Sequence, residues 1–187
     1  MVDREKWERG QRLEREWHKR ENKGDAYEHY KEVYKRYFEY LDIKAQVDGI
    51  IEVGPADYPA LLYLNGANNH IIEPLPSDKL KTFCKFKHIN LINSPAEDIE
   101  WPIAKEAWFF NVLQHVLDPE IIINKAKEAV DTIRYFEPID LPTDLMHFHS
   151  FTIEDYRNYF GDAKLYDKQP KEETFHKWCC AYGIWRR

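Results

Sequence analysis

Two short apolar runs of this sequence, residues 49–53 and 71–72, are each followed by a polar turn. This pattern is typical of parallel strands in an open α/β sheet, in which ligand-binding groups lie at the carboxyl ends of the strands. Gly54 follows the first run, and a glycine there lets the backbone approach a ligand closely. Glu73 follows the second run about twenty residues later, where a carboxylate can accept hydrogen bonds from ribose hydroxyls. The spacing therefore predicts a nucleoside site.

The first turn lacks the glycines that a dinucleotide site needs. Such a site uses Gly-x-Gly-x-x-Gly, because a pyrophosphate packs against bare backbone at a helix N-terminus. Ala56 and Pro59 stand where the second and third glycines would fall. S-adenosylmethionine contains adenosine but no phosphate and tolerates this loss, and Glu52 and Asp57 are acceptors that can bind its ammonium group. The turn therefore favours S-adenosylmethionine over a nicotinamide or flavin cofactor.

Four motifs resemble those of the class I S-adenosylmethionine-dependent methyltransferases, especially their small-molecule branch. The motifs are Glu52-Val-Gly-Pro-Ala-Asp57, Ile72-Glu-Pro74, Ala96-Glu-Asp98 and Asn111-Val-Leu-Gln-His-Val-Leu-Asp-Pro119. The last is similar to the family's hydrophobic-Leu-x-His-Val-x-Asp-Pro block after the fourth strand. The resembling region covers residues 47–160, and it differs from the family at Ala56, where a second glycine is usual.

The resemblance implies S-adenosylmethionine as cofactor and S-adenosylhomocysteine as product, with no metal. It places Gly54 against the cofactor, Glu73 on the ribose hydroxyls, and Ala96 with Glu97 at the adenine. Glu52 would orient the glycine loop or reach the ammonium group. The complete expected cofactor site is Glu52, Gly54, Ala56, Asp57, Glu73, Pro74, Ala96, Glu97 and Asn111.

Three histidines are candidates for catalysis. Methyl transfer from a sulfonium needs aligned reactants, and it needs a base only when the acceptor is protonated at working pH. His115 lies after the fourth predicted strand and suits the task of a base, although in the resembled family this histidine commonly builds the pocket floor. His147 and His149 lie in the loop after the fifth strand and alternate, so only one of them can face the pocket, where it would contact substrate; loop packing is the alternative. Two histidines without a third ligand fall short of a zinc site.

The elements between these motifs predict an α/β fold. We expect a doubly wound, mostly parallel, seven-stranded Rossmann-like sheet with helices on both faces and an N-terminal helical cap. After the first two strands, further strands are expected at residues 88–92, from 107, at 131–138, 163–167 and 177–185, and helices at 76–84, 118–130 and 152–160. Residues 44–187 would form the methyltransferase domain.

Residues 1–43 form a charged segment with interleaved aromatic side chains. Apolar residues recur in it at helical spacing, which predicts two helices with one apolar face each. The first carries Trp7, Leu13 and Trp17, and the second carries Tyr27, Tyr30, Val33, Tyr34, Tyr37, Phe38 and Leu41. By the family resemblance, we expect this pair to cap the cofactor and to shape the substrate pocket. The alternatives are a dimer interface or a solvated charged arm, and the oligomeric state stays open.

The composition limits the partners. The formal net charge of −6 argues against bulk nucleic-acid binding, and no apolar run is long enough to span a membrane. The cysteines form no Cys-x-x-Cys pair and no apolar secretory core is present, so a cytoplasmic location is expected.

Three function classes agree with the sequence. The first is methyl transfer to an oxygen or nitrogen of a small-molecule or glycan-like acceptor; the others are a protein or nucleic-acid methyltransferase and a non-catalytic binding module.

Overall fold

The computed structural model describes residues 2–21, 26–166 and 179–187. Within these ranges the chain forms five α-helices: α1 (Arg4–Glu21), α2 (Ala26–Tyr40), α3 (Asp78–Lys87), α4 (Pro119–Ala129) and α5 (Ile153–Phe160). It also forms nine strands: β1 (Gln46–Asp48), β2 (Ile50–Val53), β3 (Asn65–Ala67), β4 (His70–Ile72), β5 (Asn90–Ile92), β6 (Glu106–Phe110), β7 (Thr132–Pro138), β8 (Lys164–Tyr166) and β9 (Cys180–Arg186). Short 3₁₀ turns cover Ala60–Tyr63, Ala96–Asp98 and Leu113–His115.

Seven of the strands form one sheet in the order β5-β4-β2-β6-β7-β9-β8. The first five are parallel, whereas β9 runs antiparallel to both β7 and β8. The predicted seven-stranded, mostly parallel sheet is therefore confirmed. The chain builds β4 and β5 on one side of β2 and then returns to place β6 on the other side. Ligands bind in such sheets at the carboxyl edge where the strand order reverses, which is between β2 and β6.

Side chains of alternate strand residues enter two separate cores, one on each face of the sheet. Ile51 of β2 packs in the core that α4 and α5 cover, and its neighbour Ile50 packs in the core that α2 and α3 cover. This alternation is the two-residue period of a strand that is buried on both faces. The predicted helices on both faces are thus confirmed.

The two N-terminal helices occupy different places. α2 packs on a sheet face, where Tyr37 is 2% exposed and its ring centroid lies 4.2 Å from that of Phe136. The hydroxyl of Tyr34 donates to the carbonyl of Tyr58 at 2.9 Å. Because the crossover from β2 to β4 contains no α-helix, only the 3₁₀ turn Ala60–Tyr63 and the short strand β3, α2 fills the layer that a crossover helix would otherwise cover. The expected domain division after residue 43 stays a prediction.

Some element bounds differ from the expected ones. β1 and β3 pair as a separate two-stranded parallel sheet that the sequence did not predict, because both strands are short and β3 is exposed throughout. α3 starts after the capping Ser77 and extends to Lys87, where His88 ends it in the left-handed conformation with φ of 55°. α5 begins with a capping box between Thr152 and Asp155. Residues 177–178 of the expected last strand lie outside the described residues.

α1 lies across the carboxyl edge of the sheet. Trp7 packs in a small apolar cluster with Leu117 and Phe148, and Arg4 donates twice to the carboxylate of Asp98, at 2.9 and 2.7 Å. At Gly10 the helix backbone touches the loop after β7, since a Cβ there would overlap the Phe148 ring and lie 2.5 Å from the carbonyl oxygen of Leu145. No helix in the described part of the chain is both long and apolar enough to cross a membrane.

The close approach at Gly10 gives a test of how α1 docks. At an exposed helix position, replacing glycine by alanine stabilises a protein by up to about 1 kcal/mol. We expect Gly10→Ala to lower the free energy of unfolding instead, by about 1–3 kcal/mol, because the added methyl group overpacks the contact with residues 145–148. Urea unfolding measures the difference, with the exposed neighbour variant Glu8→Ala as control. A stabilised Gly10→Ala protein would contradict this docking of α1.

Candidate functional site

A cavity opens at the carboxyl edge of β2, β4, β5 and β6, underneath α1. Its empty volume, including the open mouth, is about 820 Å³. Most of the expected cofactor residues line it: Gly54, Ala56, Asp57, Glu73, Pro74, Ala96 and Glu97. The register explains this convergence, because Val53 pairs with Ile72 on one side and with Phe109 on the other, so the loops that follow start level with one another. The side chains of Glu52 and Asn111 lie behind the lining.

The backbone conformation and the close contacts of Gly54 both require a glycine at this position. Its φ is 61°, a region that side chains disfavour, and its N–H donates to the carbonyl of Ile72 at 2.8 Å. A Cβ at this position would overlap Cγ2 of Val112, which lies in the loop after β6. The glycine therefore lets the two loops on either side of the strand-order reversal touch.

Ala56 adopts the backbone conformation that a glycine would adopt. Its φ is 51°, in the left-handed region, which costs a non-glycine residue about 1–2 kcal/mol. The N–H of Ala56 donates to Oε2 of Glu73 at 3.2 Å, and this hydrogen bond helps to offset the strain. The alanine, although it departs from the family pattern, therefore keeps the loop in the conformation that a glycine would give it, and the cavity beside the loop stays open.

Glu73 joins two loops and still faces the cavity. Oε1 accepts from the N–H of Leu75 at 3.0 Å, and the residue is 7% exposed. Each carboxylate oxygen has two lone pairs, so an oxygen of Glu73 can accept from a backbone N–H and from a ligand hydroxyl at the same time. Glu73 is therefore held rigidly in a position where it can bind a ribose.

Glu97 performs a similar task on the next loop. Its Oε1 accepts from the backbone N–H groups of Leu117 and Asp118, at 2.7 and 3.1 Å, directly before α4. Lys125 of α4 donates to the carbonyl of Glu97 at 2.6 Å. The turn of Ala96, expected at the adenine, is consequently fastened to the start of α4.

Two fully buried glutamates hold the loops from behind. Glu52 accepts from the N–H groups of Ala60 and Leu61 at 2.6 and 3.1 Å, so of the two roles expected for it, the geometry favours orienting the loop. Glu137, at the end of β7, accepts from the N–H groups of Val112 and Leu113, the shortest contact being 2.9 Å. Burial raises the pKa of Glu52 to about 7 and that of Glu137 to about 8, although the backbone donors oppose the shift.

α1 fastens onto His115 at several points. The indole N–H of Trp7 and the side-chain amide of Gln11 both donate to the carbonyl of His115, at 2.9 and 3.0 Å. Nδ1 of the His115 ring lies 3.0 Å from the carbonyl oxygen of Met146 and 3.3 Å from Oε2 of Glu14. Both partners are acceptors, so Nδ1 carries the proton in the neutral ring and Nε2 carries the lone pair. The ring lines the cavity and is 9% exposed.

The other two histidines serve different neighbours. The ring of His147 lies 4.7 Å from that of His115, between centroids, and its Nδ1 is 3.0 Å from Oδ2 of Asp144. Nε2 of His149 is 3.0 Å from the carbonyl oxygen of Val116, and burial lowers the pKa of this ring. Because the two side chains alternate, His147 lies beside the ring of His115, whereas His149 faces the backbone carbonyl of Val116.

Asn111 shapes the loop after β6. Its φ is 60°, its N–H donates to the carbonyl of Phe136 at 3.0 Å, and its side-chain oxygen accepts from the amide of Gln114 at 3.2 Å. The sequence predicted that the N-terminal helices lie over the cofactor site, but it did not identify the residues of α1 that line the cavity. The cavity residues of this helix are Trp7, Gln11, Glu14, Arg15 and Lys19. The four-residue spacing of Trp7, Gln11, Arg15 and Lys19 was the available signal.

Stability should fall as the pH rises from about 5 to 8. A carboxyl group whose pKa is higher in the folded than in the unfolded protein binds more protons when folded, so folding becomes less favourable as these protons are lost. Because the two pKa values are about 7 and about 8, we expect a decrease of about 2–4 kcal/mol in the free energy of unfolding, measured by urea titration.

Glu52→Gln and Glu137→Gln serve as matched variants for this measurement, since each removes one titrating group. Each should flatten the pH profile even though it lowers the stability itself. His70 and His149, whose pKa values burial lowers, have the opposite effect below pH 6.5, so the difference between wild type and variant isolates the glutamates. A profile with equal slopes in all three proteins would contradict the assignment.

The ring tautomers of two histidines provide a direct check of the site geometry. In neutral His115 we expect a protonated Nδ1, because a carbonyl and a carboxylate face it, whereas in His149 we expect a protonated Nε2, because the carbonyl of Val116 faces that atom. Long-range ¹H–¹⁵N correlation spectra distinguish the two forms, and the two rings act as controls for each other. A protonated Nε2 in neutral His115 would rule out the hydrogen bonds from Nδ1 to Met146 and Glu14.

No protein-family model matches the sequence, and no curated protein matches it either. Solved structures do match the fold. The N-methyltransferase NodS from Bradyrhizobium japonicum WM9, in complex with S-adenosyl-l-homocysteine, is 12% identical, with 90% of each chain covered and a TM-score of 0.64. StiE O-MT is 11% identical, with 83% of this chain and 73% of that chain covered and a TM-score of 0.58. The YcgJ protein from Bacillus is also 11% identical, with coverages of 74% and 70% and a TM-score of 0.56. The chain therefore has the Rossmann-like fold of the class I S-adenosylmethionine-dependent methyltransferases.

Proposed function

We propose that this protein is an S-adenosylmethionine-dependent methyltransferase that acts on an oxygen or nitrogen of a small-molecule or glycan-like acceptor. The observation that carries the proposal is the carboxylate of Glu73, which is held on the cavity wall beside the Gly54 loop at the strand-order reversal. Similar structures support it: NodS is named an N-methyltransferase and was solved with S-adenosyl-l-homocysteine, and StiE O-MT is named as an O-methyltransferase.

The cavity wall formed by the sheet loops fits this cofactor chemically. Its acidic groups, Asp57, Glu73 and Glu97, are acceptors for ribose hydroxyls, an ammonium group and an amine. Apolar side chains of Ile72 and Ile122 complete the wall and suit a purine ring. When bound, the cofactor supplies an electrophilic methyl group on a positively charged sulfur. No group of three or more metal-binding side chains occurs among the residues that the structure describes.

His115 is the base in this proposal. Its Nε2 carries the lone pair in the neutral ring and can take the proton that an acceptor hydroxyl or ammonium group must lose. The carbonyl of Met146 and the carboxylate of Glu14, both facing Nδ1, stabilise the imidazolium that results. His147 packs against the ring and holds its orientation, while His149 braces the backbone at Val116. In this arrangement both residues position the base.

The non-catalytic alternative rested on Ala56, the residue that departs from the family pattern. Since Ala56 takes the left-handed backbone conformation and its N–H is bound to Glu73, the methyl group does not force the loop into another shape. This observation favours a binding-competent loop. The acceptor remains a small molecule in the proposal, because the cavity is covered by α1 and lies at the sheet edge as in small-molecule sites.

Calorimetric titration with S-adenosylmethionine and S-adenosylhomocysteine, with NADH as control, tests the cofactor. We expect micromolar dissociation constants for the first two and no binding of NADH, because the loop lacks the glycines for a pyrophosphate. Binding justifies a screen of small hydroxyl and amine compounds for methyl transfer. Absence of binding by both adenosyl compounds would contradict the proposed function.

Glu73→Gln tests the ribose contact. We expect adenosine to bind the variant about tenfold more weakly, because a charge-assisted hydrogen bond is lost, whereas 2′,3′-dideoxyadenosine should bind both proteins alike. The dideoxy compound separates the loss of the ribose contact from a general disturbance of the loops. Glu100→Gln, at an exposed carboxylate, is the control protein. Equal losses for both nucleosides would show that Glu73 supports the loops and leaves the ribose to other residues.

A further inference from the structure

One stripe of α1 faces the cavity. Trp7, Gln11, Arg15 and Lys19 are spaced by four residues and all line it. The first two residues donate to the carbonyl of His115, so the stripe runs past the proposed base. Arg15 follows Gln11 by one helical turn and lines the same cavity as His115.

Arg15 lacks an acceptor for one of its donors. Its Nε is buried and has no hydrogen-bond partner among the described residues. Leaving a buried donor of a charged group unpaired is costly, and native proteins rarely do so without a ligand or a solvent molecule to complete the site. The guanidinium is planar and presents its donors in a fork, which matches a carboxylate better than any neutral group.

The two walls of the cavity carry opposite charges. The sheet loops contribute Asp57, Glu73 and Glu97, whereas the stripe of α1 contributes Arg15 and Lys19. α1 also presents Glu14, whose carboxylate lies 3.3 Å from Nδ1 of His115, and Lys19 pairs with Glu16, so Arg15 is the main basic group of this wall. The acidic wall suits the hydroxyls and positive charges of the cofactor, and the basic wall suits an anion. Arg9 and Arg12 on other faces of α1 are exposed, whereas Arg15 is half-buried and its Nε is fully buried.

We propose that the methyl acceptor carries a carboxylate, which Arg15 binds while His115 takes the proton from the reacting hydroxyl or amine. The inference rests on the proposed function and adds the chemical class of the acceptor. An acceptor of this class joins an anionic group to a hydroxyl or amine within one small molecule. Arg15 lines the cavity on α1 with Gln11, whereas the cofactor's amino-acid end is expected on the opposite wall at Gly54 and Asp57, which favours the acceptor as the source of the anion.

Paired probes that differ only in charge test this inference. The protein is saturated with S-adenosylhomocysteine, and the affinities of 4-hydroxybenzoate and 4-aminobenzoate are compared with those of their carboxamides by calorimetry and saturation-transfer NMR. In the wild type the carboxylates should bind at least about tenfold more tightly than the amides. Arg15→Gln should abolish the preference, whereas Arg12→Gln, at the exposed arginine of the same helix, should retain it.

Several results would overturn the inference. They are equal affinity for acid and amide in the wild type, no binding by any carboxylate, or a preference that survives in Arg15→Gln. A tenfold loss of S-adenosylhomocysteine affinity in Arg15→Gln would instead assign the guanidinium to the cofactor's own carboxylate. The titration of the wild type with S-adenosylhomocysteine separates the two proposals: if it fails, both fall, and if it succeeds without the acid preference, only the identity of the acceptor falls.

Discussion

Glutamate carboxylates that accept hydrogen bonds from backbone N–H groups hold together the loops that follow β2, β4, β5 and β6. Glu52, Glu73, Glu97 and Glu137 each accept from a pair of backbone donors in the loops next to the cavity. Loop donors at the edge of a sheet have no strand partner, and leaving them unpaired in a buried place is expensive. At four places a glutamate carboxylate therefore accepts hydrogen bonds from loop N–H groups that would otherwise be unpaired. These hydrogen bonds hold the loops in the positions that shape the cavity.

This support allows the protein to do without a long helix between β2 and β4. The crossover contains no α-helix, only the turn Ala60–Tyr63 and the short strand β3. Two N–H groups of that turn donate to Glu52, and α2 covers the sheet face that a crossover helix would otherwise cover. Aromatic rings supply much of that contact, as in the stacking of Tyr37 on Phe136. α2 is thus part of the core that keeps the strand ends, and the loops behind the site, in register.

α1 completes the cavity from the opposite side. It is attached by polar contacts to the backbone of His115, by the ion pair of Arg4 with Asp98, and by the close approach at Gly10. Its apolar contact is small, since Trp7 shares a cluster with only a few side chains. The proposed base, the proposed acceptor-binding residue and the contacts that orient them therefore meet only when α1 is docked.

The sequence by itself determined the sheet, the place of Gly54 and the acid that follows β4, because strand periodicity, turn residues and their spacing are local properties. Only the tertiary structure decided what those residues contact. Glu52 faces a loop, Ala56 takes a glycine-like φ, and Trp7 reaches the carbonyl of His115 across a separation of 108 residues. Such contacts depend on how distant elements pack, and no local pattern specifies them. For the same reason the apolar face predicted for α1 was only partly correct: Trp7 is buried, but Leu13 and Trp17 are exposed. The face that lines the cavity carries mainly polar side chains, which the apolar pattern does not mark.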